Sequence, residues 1–204
     1  MTCDVFLASA SPRRRALLEQ IGVQFAVLEV AIDERALPGE PAADYVVRLA
    51  RAKALAGRAC AAARAAPARP VLAADTSVVI AGTLLGKPAD AAEGVAMLAR
   101  LSDRSHEVLT AVALATGAGL EVAVSRSAVH FRAIEAAEAR AYWDSGEPCD
   151  KAGGYAIQGK GAVFVRRLEG SHSGVVGLPL FETAALLTRA GVRLWQPPVA
   201  ESGR

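Results

Sequence analysis

The sequence predicts an α/β fold with a mixed sheet, on three observations. Apolar runs of strand length alternate with helical stretches in the first hundred residues. Two long strand-like segments, 107–116 and 120–133, then follow each other across a glycine-rich turn, which indicates an antiparallel pair. The 204 residues are 52% hydrophobic, enough to bury a sizeable core in one generous domain or in two small lobes that share it.

The first part of the chain opens with a short predicted strand over 5–8 that enters a turn. A helix follows, because Ser11 is a good N-cap, Pro12 suits the first helical position and Gly22 ends the apolar pattern. The remaining elements of this part are a strand over 23–32, an acidic loop over 33–41 and a long helix over 42–63.

The second part begins with a predicted hairpin and continues with alternating helices and strands. Asp90 and Glu93 form a capping box that starts a helix ending at Leu101. The tail after Leu194 carries paired prolines and is expected to fray. The other predicted elements are a strand over 71–81 that turns at 82–83 into 84–85, the long strands over 107–116 and 120–133, a helix over 136–145, a glycine-rich loop over 146–161, a strand over 163–168 and a helix over 179–190.

Composition and charge exclude several classes of protein. The formal net charge is +2, without the basic footprint of a dedicated nucleic-acid binder, so no nucleic-acid partner is expected. No uncharged apolar run approaches the roughly 18 residues that cross a membrane, so no membrane partner is expected either. Cys3, Cys60 and Cys149 are odd in number and lack metal-ligand spacing, which favours the reducing cytoplasm.

The segment Ser9-Ala-Ser-Pro-Arg-Arg14 is the first candidate binding site. A strand, a turn of small residues and the start of a helix place unpaired backbone N–H groups at one point, where the helix dipole adds positive potential. Arg13 and Arg14 fall in the first helical turn, where cations are disfavoured unless an anion such as phosphate offsets them. The alternative is an exposed basic turn without a ligand.

Two acidic positions are candidates for a metal ligand or a general base. Asp75 interrupts an otherwise nearly apolar stretch, and a buried carboxylate is costly unless it is paired, hydrogen-bonded or bound to metal. Its alternative role is to cap a turn between two shorter strands. Asp33 and Glu34 follow the second predicted strand, and such loop acids are usually solvated unless another carboxylate faces them.

Three further positions complete an inventory for binding a polyphosphate and a divalent metal. Lys53 falls between Val46 and Leu49 on the apolar face of its helix, where it either snorkels to solvent or reaches across a cleft to a phosphate. Lys87 ends the predicted hairpin, and Gln158 lies in the glycine-rich loop, where its amide can both donate and accept, as reading a base edge requires. A solvated loop is the alternative for both.

These motifs together resemble those of the Maf family, in the family's order and spacing, over about residues 4 to 190. The common loop and turn motifs that bind nucleotides, Gly-x-x-x-x-Gly-Lys-Ser/Thr and Gly-x-Gly-x-x-Gly, do not occur in the sequence. The segments that carry the resemblance are Leu7-Ala-Ser-Ala-Ser-Pro-Arg-Arg14, Ala74-Asp-Thr76, Gly86-Lys-Pro88, Asp150-Lys-Ala-Gly-Gly-Tyr-Ala-Ile-Gln-Gly159 and Val175-Val-Gly-Leu-Pro-Leu180.

The resemblance implies a fold akin to inosine triphosphate pyrophosphatases, a single domain over 1–204 whose two lobes flank a central cleft. It also implies hydrolysis of a nucleoside triphosphate between its α and β phosphates, with Mg²⁺ or Mn²⁺ as cofactor and a homodimer as the expected assembly. The family's catalytic acid falls on Asp75, with Glu34 as the second metal-holding carboxylate and Lys53 and Lys87 as further catalytic residues. The implied substrate-binding positions are Ser9, Arg13, Arg14, Thr76 and Gln158.

The choice of substrate follows from a division within the family. One branch resembles pyrophosphatases for dTTP and UTP and the other those for 7-methyl-GTP, and the dividing positions fall on Arg13, Thr76 and Gln158. These residue types favour the dTTP/UTP branch, with 7-methyl-GTP as the alternative. A rival from another class is a nucleotide-binding regulator of septum formation without turnover, but binding alone needs no general base, so the retained acids favour catalysis.

Overall fold

The computed structural model describes residues 3–196, and within this range seven strands form one mixed sheet. The strands are β1 (Val5–Leu7), β2 (Phe25–Val27), β3 (Val71–Ile80), β4 (Thr83–Leu85), β5 (Ser105–Thr116), β6 (Gly119–Phe131) and β7 (Val165–Glu169). The helices are α1 (Pro12–Gln20), α2 (Ala42–Ala63), α3 (Ala91–Leu101), α4 (Ala136–Asp144), α5 (His172–Val176) and α6 (Leu180–Arg189). The predicted α/β class with a mixed sheet is confirmed.

The strand order is β2-β1-β3-β5-β6-β7, with β4 paired to β3. The first three strands are parallel, because α1 and α2 serve as the crossovers that parallel pairing needs. The later pairs are antiparallel, and short turns join β3 to β4 and β5 to β6. The predicted antiparallel pair is confirmed and runs from Ser105 opposite His130 to Thr116 opposite Gly119.

Apolar side chains pack in three clusters around this sheet, and the middle of β3 falls between two of them. The first four residues of β3 contribute Leu72 and Ala74 to one face and Val71 and Ala73 to the other. Residues near the far end of β3 pack with α3 and α4 in a third cluster. The intervening segment 75–77 is polar and separates the first cluster from the third, whereas the second cluster continues past it on the opposite face. A strand so arranged places polar side chains in the centre of the molecule.

Helix α2 has its predicted bounds and packs its apolar stripe against the sheet. Gly57 allows this close approach, because a Cβ there would lie 2.7 Å from a methyl group of Val71 and 2.8 Å from Cβ of Ala8. The predicted cap of α3 is also present in part: Asp90 Oδ1 accepts from the Glu93 amide at 2.9 Å. The Glu93 carboxylate reaches the amide of Ala89 rather than that of Asp90.

Three predictions about local structure were wrong, and one helix was missed. The strand predicted over 23–32 is only three residues long, because β2 is an edge strand whose partner β1 ends at Leu7. The strand predicted from 163 begins at Val165, since a 3₁₀ turn occupies the residues before it. Ser11 makes no side-chain cap; the Oγ of Ser9 accepts from the Ser11 amide at 3.2 Å instead. The short helix α5, capped by Ser171, was not predicted.

Two sequence expectations concern the ends of the chain and the membrane. Trp195 and Gln196 donate backbone hydrogen bonds to Ile21 and Gly22, and the rest of the tail predicted to fray lies outside the described residues. Between residues 3 and 196, no helix has the length and apolar character needed to cross a membrane.

Candidate active site

A cleft of about 830 Å³ opens at the polar middle of β3 and is lined by every residue that the sequence predicted for the site. These residues come from elements far apart in the chain: the β1–α1 turn, the loop before α2, α2 itself, β3, the segment after β4, and the loop before β7. The residues are Ser9, Arg13, Arg14, Glu34, Lys53, Asp75, Thr76, Lys87 and Gln158.

Asp75 lies in the centre of an uninterrupted strand, opposite Ala111 of β5. The alternative in which it caps a turn between two shorter strands is therefore wrong. Its side chain is only 10% exposed, and Oδ1 accepts a hydrogen bond from Lys53 Nζ at 2.7 Å. The same ammonium lies 2.7 Å from Glu34 Oε1, so the lysine bridges the two carboxylates. Lys53 is 13% exposed and does not snorkel to solvent.

Burial raises the pKa of the Asp75 carboxyl, and the nearby Lys53 ammonium opposes this shift. Arg14 also lowers the pKa of this carboxyl, whereas Glu34 raises it. A carboxylate with a raised pKa is a better proton acceptor than an ordinary aspartate, which suits a general base. The site thus holds a basic carboxylate beside two cations.

The loop that carries Glu34 is fixed by side chains of α2. Tyr45 donates its hydroxyl to the Glu34 carbonyl at 2.8 Å. Arg48 pairs with Glu40 at 2.6 Å and donates to the Arg35 carbonyl at 3.0 Å. Arg48 has these partners because the loop folds back over that face of the helix. These contacts position the Glu34 carboxylate for Lys53.

The two neighbouring acids of this loop, Asp33 and Glu34, have different partners. Asp33 is exposed and forms a bidentate pair with Arg35, whereas Glu34 turns toward Lys53. The solvated interpretation therefore holds for Asp33 only, and Glu34 is the acid that faces Asp75 across the lysine.

Arg14 is held by three hydrogen bonds at the first turn of α1. Its Nε donates to the Gly177 carbonyl at 2.8 Å, one terminal nitrogen to Ser9 Oγ at 3.1 Å and the other to Thr76 Oγ1 at 3.4 Å. Burial lowers the pKa of this guanidinium, and the Asp75 carboxylate opposes the shift. An exposed basic turn does not describe Arg14, which is fixed in the cleft wall. Its position beside the start of α1 suits an anion.

Arg13, Lys87 and Gln158 lie on the outer part of the cleft. Arg13 is 4.0 Å from the carboxylate of Asp150. Lys87 and Gln158 are exposed, and within residues 3–196 neither forms a hydrogen bond or ion pair with another predicted site residue. The segment that carries Lys87 is tied to the opposite loop, because the Gly86 carbonyl accepts from the Gly153 amide at 2.9 Å.

The loop that carries Gln158 is clamped from below by the Glu147 carboxylate. This carboxylate accepts from the Tyr142 hydroxyl at 2.7 Å and from the amides of Lys160 at 2.9 Å and Gly161 at 3.0 Å. The Tyr142 hydroxyl accepts in turn from the Ala156 amide at 3.1 Å. Exposed Gln158 is thereby presented from a fixed backbone.

Gly159→Ala is expected to disturb this clamp, because a Cβ at this glycine would overlap the Glu147 carboxylate. Overpacking of this kind costs about 1–3 kcal/mol. The thermal midpoint should fall and the KM for the substrate should rise. Gly117→Ala is the matched control, since a Cβ there meets nothing within 4 Å, and it should leave both quantities unchanged. Equal KM values for the two variants would show that the clamp does not position the loop.

Sequence reasoning assigned no role to two residues that line the cleft, Tyr45 and Asp150. Tyr45 lies eight residues before Lys53, on the same helical face, so helical spacing could have indicated it. Asp150 stands beside Arg13, but only the fold brings these residues together, since they are far apart in sequence.

Glu34 and Asp75 are the two carboxylates of the cleft that could hold a divalent metal. Both converge on the Lys53 ammonium, whose Nζ is 2.7 Å from an oxygen of each. No cluster of three or more His, Cys, Asp or Glu side chains suited to a metal occurs within residues 3–196. Mg²⁺ commonly binds through one or two carboxylates, with substrate phosphates and water completing its shell. Two acids are therefore sufficient for this kind of site.

A mixed-sheet α/β protein whose central cleft combines fixed cations with a buried, basic carboxylate is built to bind and act on a polyanion. The family model described as Maf-like protein matches residues 4–190, and the chain belongs to the Maf family. The resemblance seen in the sequence motifs is thereby confirmed.

Several curated relatives cover nearly the whole chain. The dTTP/UTP pyrophosphatase of Burkholderia pseudomallei (strain 1710b) is 58% identical over 197 residues, covering 92% of this chain and 94% of the relative. The dTTP/UTP pyrophosphatase of Saccharophagus degradans is 54% identical, covering 96% of this chain and 92% of the relative. Among solved structures, the Staphylococcus aureus Ham1 protein matches 62% of this chain and 71% of its own with a TM-score of 0.39 and 10% identity, too weak a similarity to carry an argument.

Proposed function

We propose that this protein is a nucleoside triphosphate pyrophosphatase that hydrolyses dTTP and UTP to the monophosphate and pyrophosphate. The observation that carries the proposal is the buried Asp75 carboxylate, which faces the cleft and shares Lys53 with Glu34. The relatives named dTTP/UTP pyrophosphatase, at 54% and 58% identity, support the choice of substrate. Modified pyrimidine nucleotides belong to the same proposed substrate class.

The proposed roles follow the position of each side chain. Arg14, Ser9 and the start of α1 bind phosphate oxygens, and Arg13 and Lys87 add positive charge at the outer wall. Asp75 accepts a proton from the attacking water as the bond between the α and β phosphates breaks and pyrophosphate leaves. Lys53 compensates negative charge between the acids and the substrate. Thr76 and Gln158 contribute to substrate recognition, with Gln158 reading the base edge.

We also propose that Glu34 and Asp75 hold a divalent cation, Mg²⁺ or Mn²⁺. When bound, the cation would neutralise negative charge on the triphosphate and on the departing pyrophosphate. Lys53 then needs to compensate less of the charge of the two acids and is available to the substrate. A homodimer in the cytoplasm is part of this proposal. The assembly is what the family resemblance implies, and the sparse cysteines favour the compartment.

Two alternatives to the proposed function would use the same cleft. Hydrolysis of 7-methyl-GTP would use the same acids, but Arg13, Thr76 and Gln158 and the names of the relatives favour dTTP and UTP. A regulator of cell division that only binds nucleotide would not need a proton acceptor beside the phosphate site, which Asp75 supplies.

Release of phosphate from dTTP tests the proposal. Phosphate should appear only when inorganic pyrophosphatase is added, and dTMP should form in either case, because the first product is pyrophosphate. Phosphate without the added enzyme, together with dTDP, would indicate cleavage of the terminal phosphate instead. Binding of dTTP without any product would favour the regulator.

A further inference from the structure

Thr110 lies on β5 directly opposite Thr76 of β3 and is 1% exposed. It does not line the cleft, and it was not among the residues that the sequence indicated. Its hydroxyl is 2.7 Å from the Gly174 carbonyl and 3.0 Å from Thr76 Oγ1. A buried hydroxyl that is hydrogen-bonded to two different elements restricts the positions of both elements.

The direction of each hydrogen bond follows from the groups at the two ends. The Gly174 carbonyl can only accept, so the single proton of Thr110 is directed to it over the shorter contact. Thr76 must then donate its own proton to Thr110 Oγ1. At the other end Arg14 can only donate, so Thr76 Oγ1 accepts from it. Hydrogen-bond donation therefore runs from Arg14 to Thr76, then to Thr110 and then to Gly174. Both threonine hydroxyl protons are used inside the protein.

The two partners of Thr110 lead to the same guanidinium. Thr76 accepts from Arg14 directly. Gly174 lies in α5, and the residue that follows this helix, Gly177, accepts from Arg14 Nε at 2.8 Å. Only the third support of Arg14, Ser9, is independent of Thr110. The Thr110 hydroxyl thus stabilises two of the three contacts that orient Arg14.

The three contacts of Arg14 determine which of its N–H groups remain for a ligand. A guanidinium has five N–H groups, and three of those of Arg14 are used by Gly177, Ser9 and Thr76. One N–H on each terminal nitrogen is left, and each can donate to a phosphate oxygen. The orientation of that pair depends on the contacts that Thr110 maintains.

We propose that Thr110 is a positioning residue for the proposed phosphate-binding arginine: it fixes Thr76 and α5 so that Arg14 presents its two free N–H groups to a phosphate of the substrate. The proposal rests on the proposed function for its substrate and adds a residue remote from the cleft. Thr110→Val retains the shape and removes the hydroxyl. Thr110→Ser retains the hydroxyl and removes only a methyl group.

The test compares these variants in kinetics and in binding of inorganic pyrophosphate by calorimetry. Thr110→Val should lower kcat/KM for dTTP and weaken pyrophosphate binding, each by about tenfold to a hundredfold, as expected when a hydrogen bond in a chain to a charged group is lost. Thr110→Ser should restore most of both. Thr183→Val is the matched control, because Thr183 is 0% exposed and its hydroxyl has no hydrogen-bond partner within the described part of the chain.

A second measurement separates positioning from a general loss of structure. If Thr110 acts through Arg14, Thr110→Val should have almost no further effect in an Arg14→Ala background. Independent, multiplicative losses in the double variant would overturn the proposal, as would normal kinetics in folded Thr110→Val. If Thr110→Val does not fold, Thr110→Cys against Thr110→Ser makes the same comparison with weaker hydrogen bonding at similar size.

The control outcomes distinguish this inference from the proposed function. A wild-type protein that binds pyrophosphate but hydrolyses no nucleotide would contradict the function while leaving the calorimetric test of Thr110 in place. An active wild-type protein with an equally active Thr110→Val variant would contradict the positioning role alone.

Discussion

Replacement of Asp75 by asparagine is expected to lower the turnover of dTTP by a factor of about 10² or more while the protein stays folded. The amide keeps the size of the side chain and can still accept from Lys53, which lies 2.7 Å from Oδ1. It cannot take a proton from water, and it is a weaker ligand for a divalent cation. Turnover measured at saturating dTTP, with the thermal midpoint of the same sample, checks this result.

Stability is expected to change little in this variant, for a reason that follows from the sign of the pKa shift. Burial raises the pKa of the Asp75 carboxyl, so the folded state binds its proton more tightly than the unfolded state. The stabilisation by that proton is fully present below the pKa of the unfolded chain and is lost as pH rises through the raised pKa. At neutral pH the charged form is therefore the less favourable one for folding, and a neutral amide can be tolerated.

Asp33→Asn is the matched control for this experiment. Asp33 is an exposed acid beside Glu34, and it contacts Arg35 rather than Lys53. Its loss should leave turnover unchanged. An Asp75→Asn protein that melts early but hydrolyses dTTP normally per folded molecule would contradict the catalytic role.

Removal of divalent metal is expected to reduce the activity to nearly zero, and Mg²⁺ or Mn²⁺ should restore it. Without the cation, only arginine and lysine side chains would offset a triphosphate of charge about −4 beside two carboxylates. Activity measured in EDTA, then with each metal added in excess, checks this prediction.

Two acidic residues, Glu34 and Glu29, provide a test of the metal prediction and its control. Glu34→Gln should raise the metal concentration that gives half-maximal activity, because it leaves Asp75 as the single carboxylate at the point of convergence. Glu29→Gln removes an exposed acid from the preceding segment and should not change that concentration. Full activity in chelator would show that the two carboxylates do not hold a metal.

The sequence predicted the residues of the site because several of them violate local rules. A carboxylate within an apolar strand, a lysine on an apolar helical face and two arginines in a first helical turn are each costly alone, and their cost indicates a partner. The structure pairs Lys53 with Asp75 and fixes Arg14 by three hydrogen bonds. Their roles in catalysis stay predictions.

Features that depend on distant pairing could not be predicted in the same way. The length of β2 is set by its short partner β1, which local pattern does not reveal. Arg48 obeys the rules of a solvated side chain and binds Glu40 only because a loop folds back on its helix. Thr110 is unremarkable in sequence and acquires its place from the register that sets β5 against β3.

The relative kcat/KM for a panel of nucleotides tests the central claim most directly. Pyrophosphate release should be much faster with dTTP and UTP than with 7-methyl-GTP, ATP or GTP. The cleft-lining residues Arg13, Thr76 and Gln158 are those that the family resemblance assigns to the dTTP/UTP branch. The same assay on modified pyrimidine triphosphates would identify any preferred member of that class. A higher kcat/KM for 7-methyl-GTP than for dTTP and UTP would contradict the account.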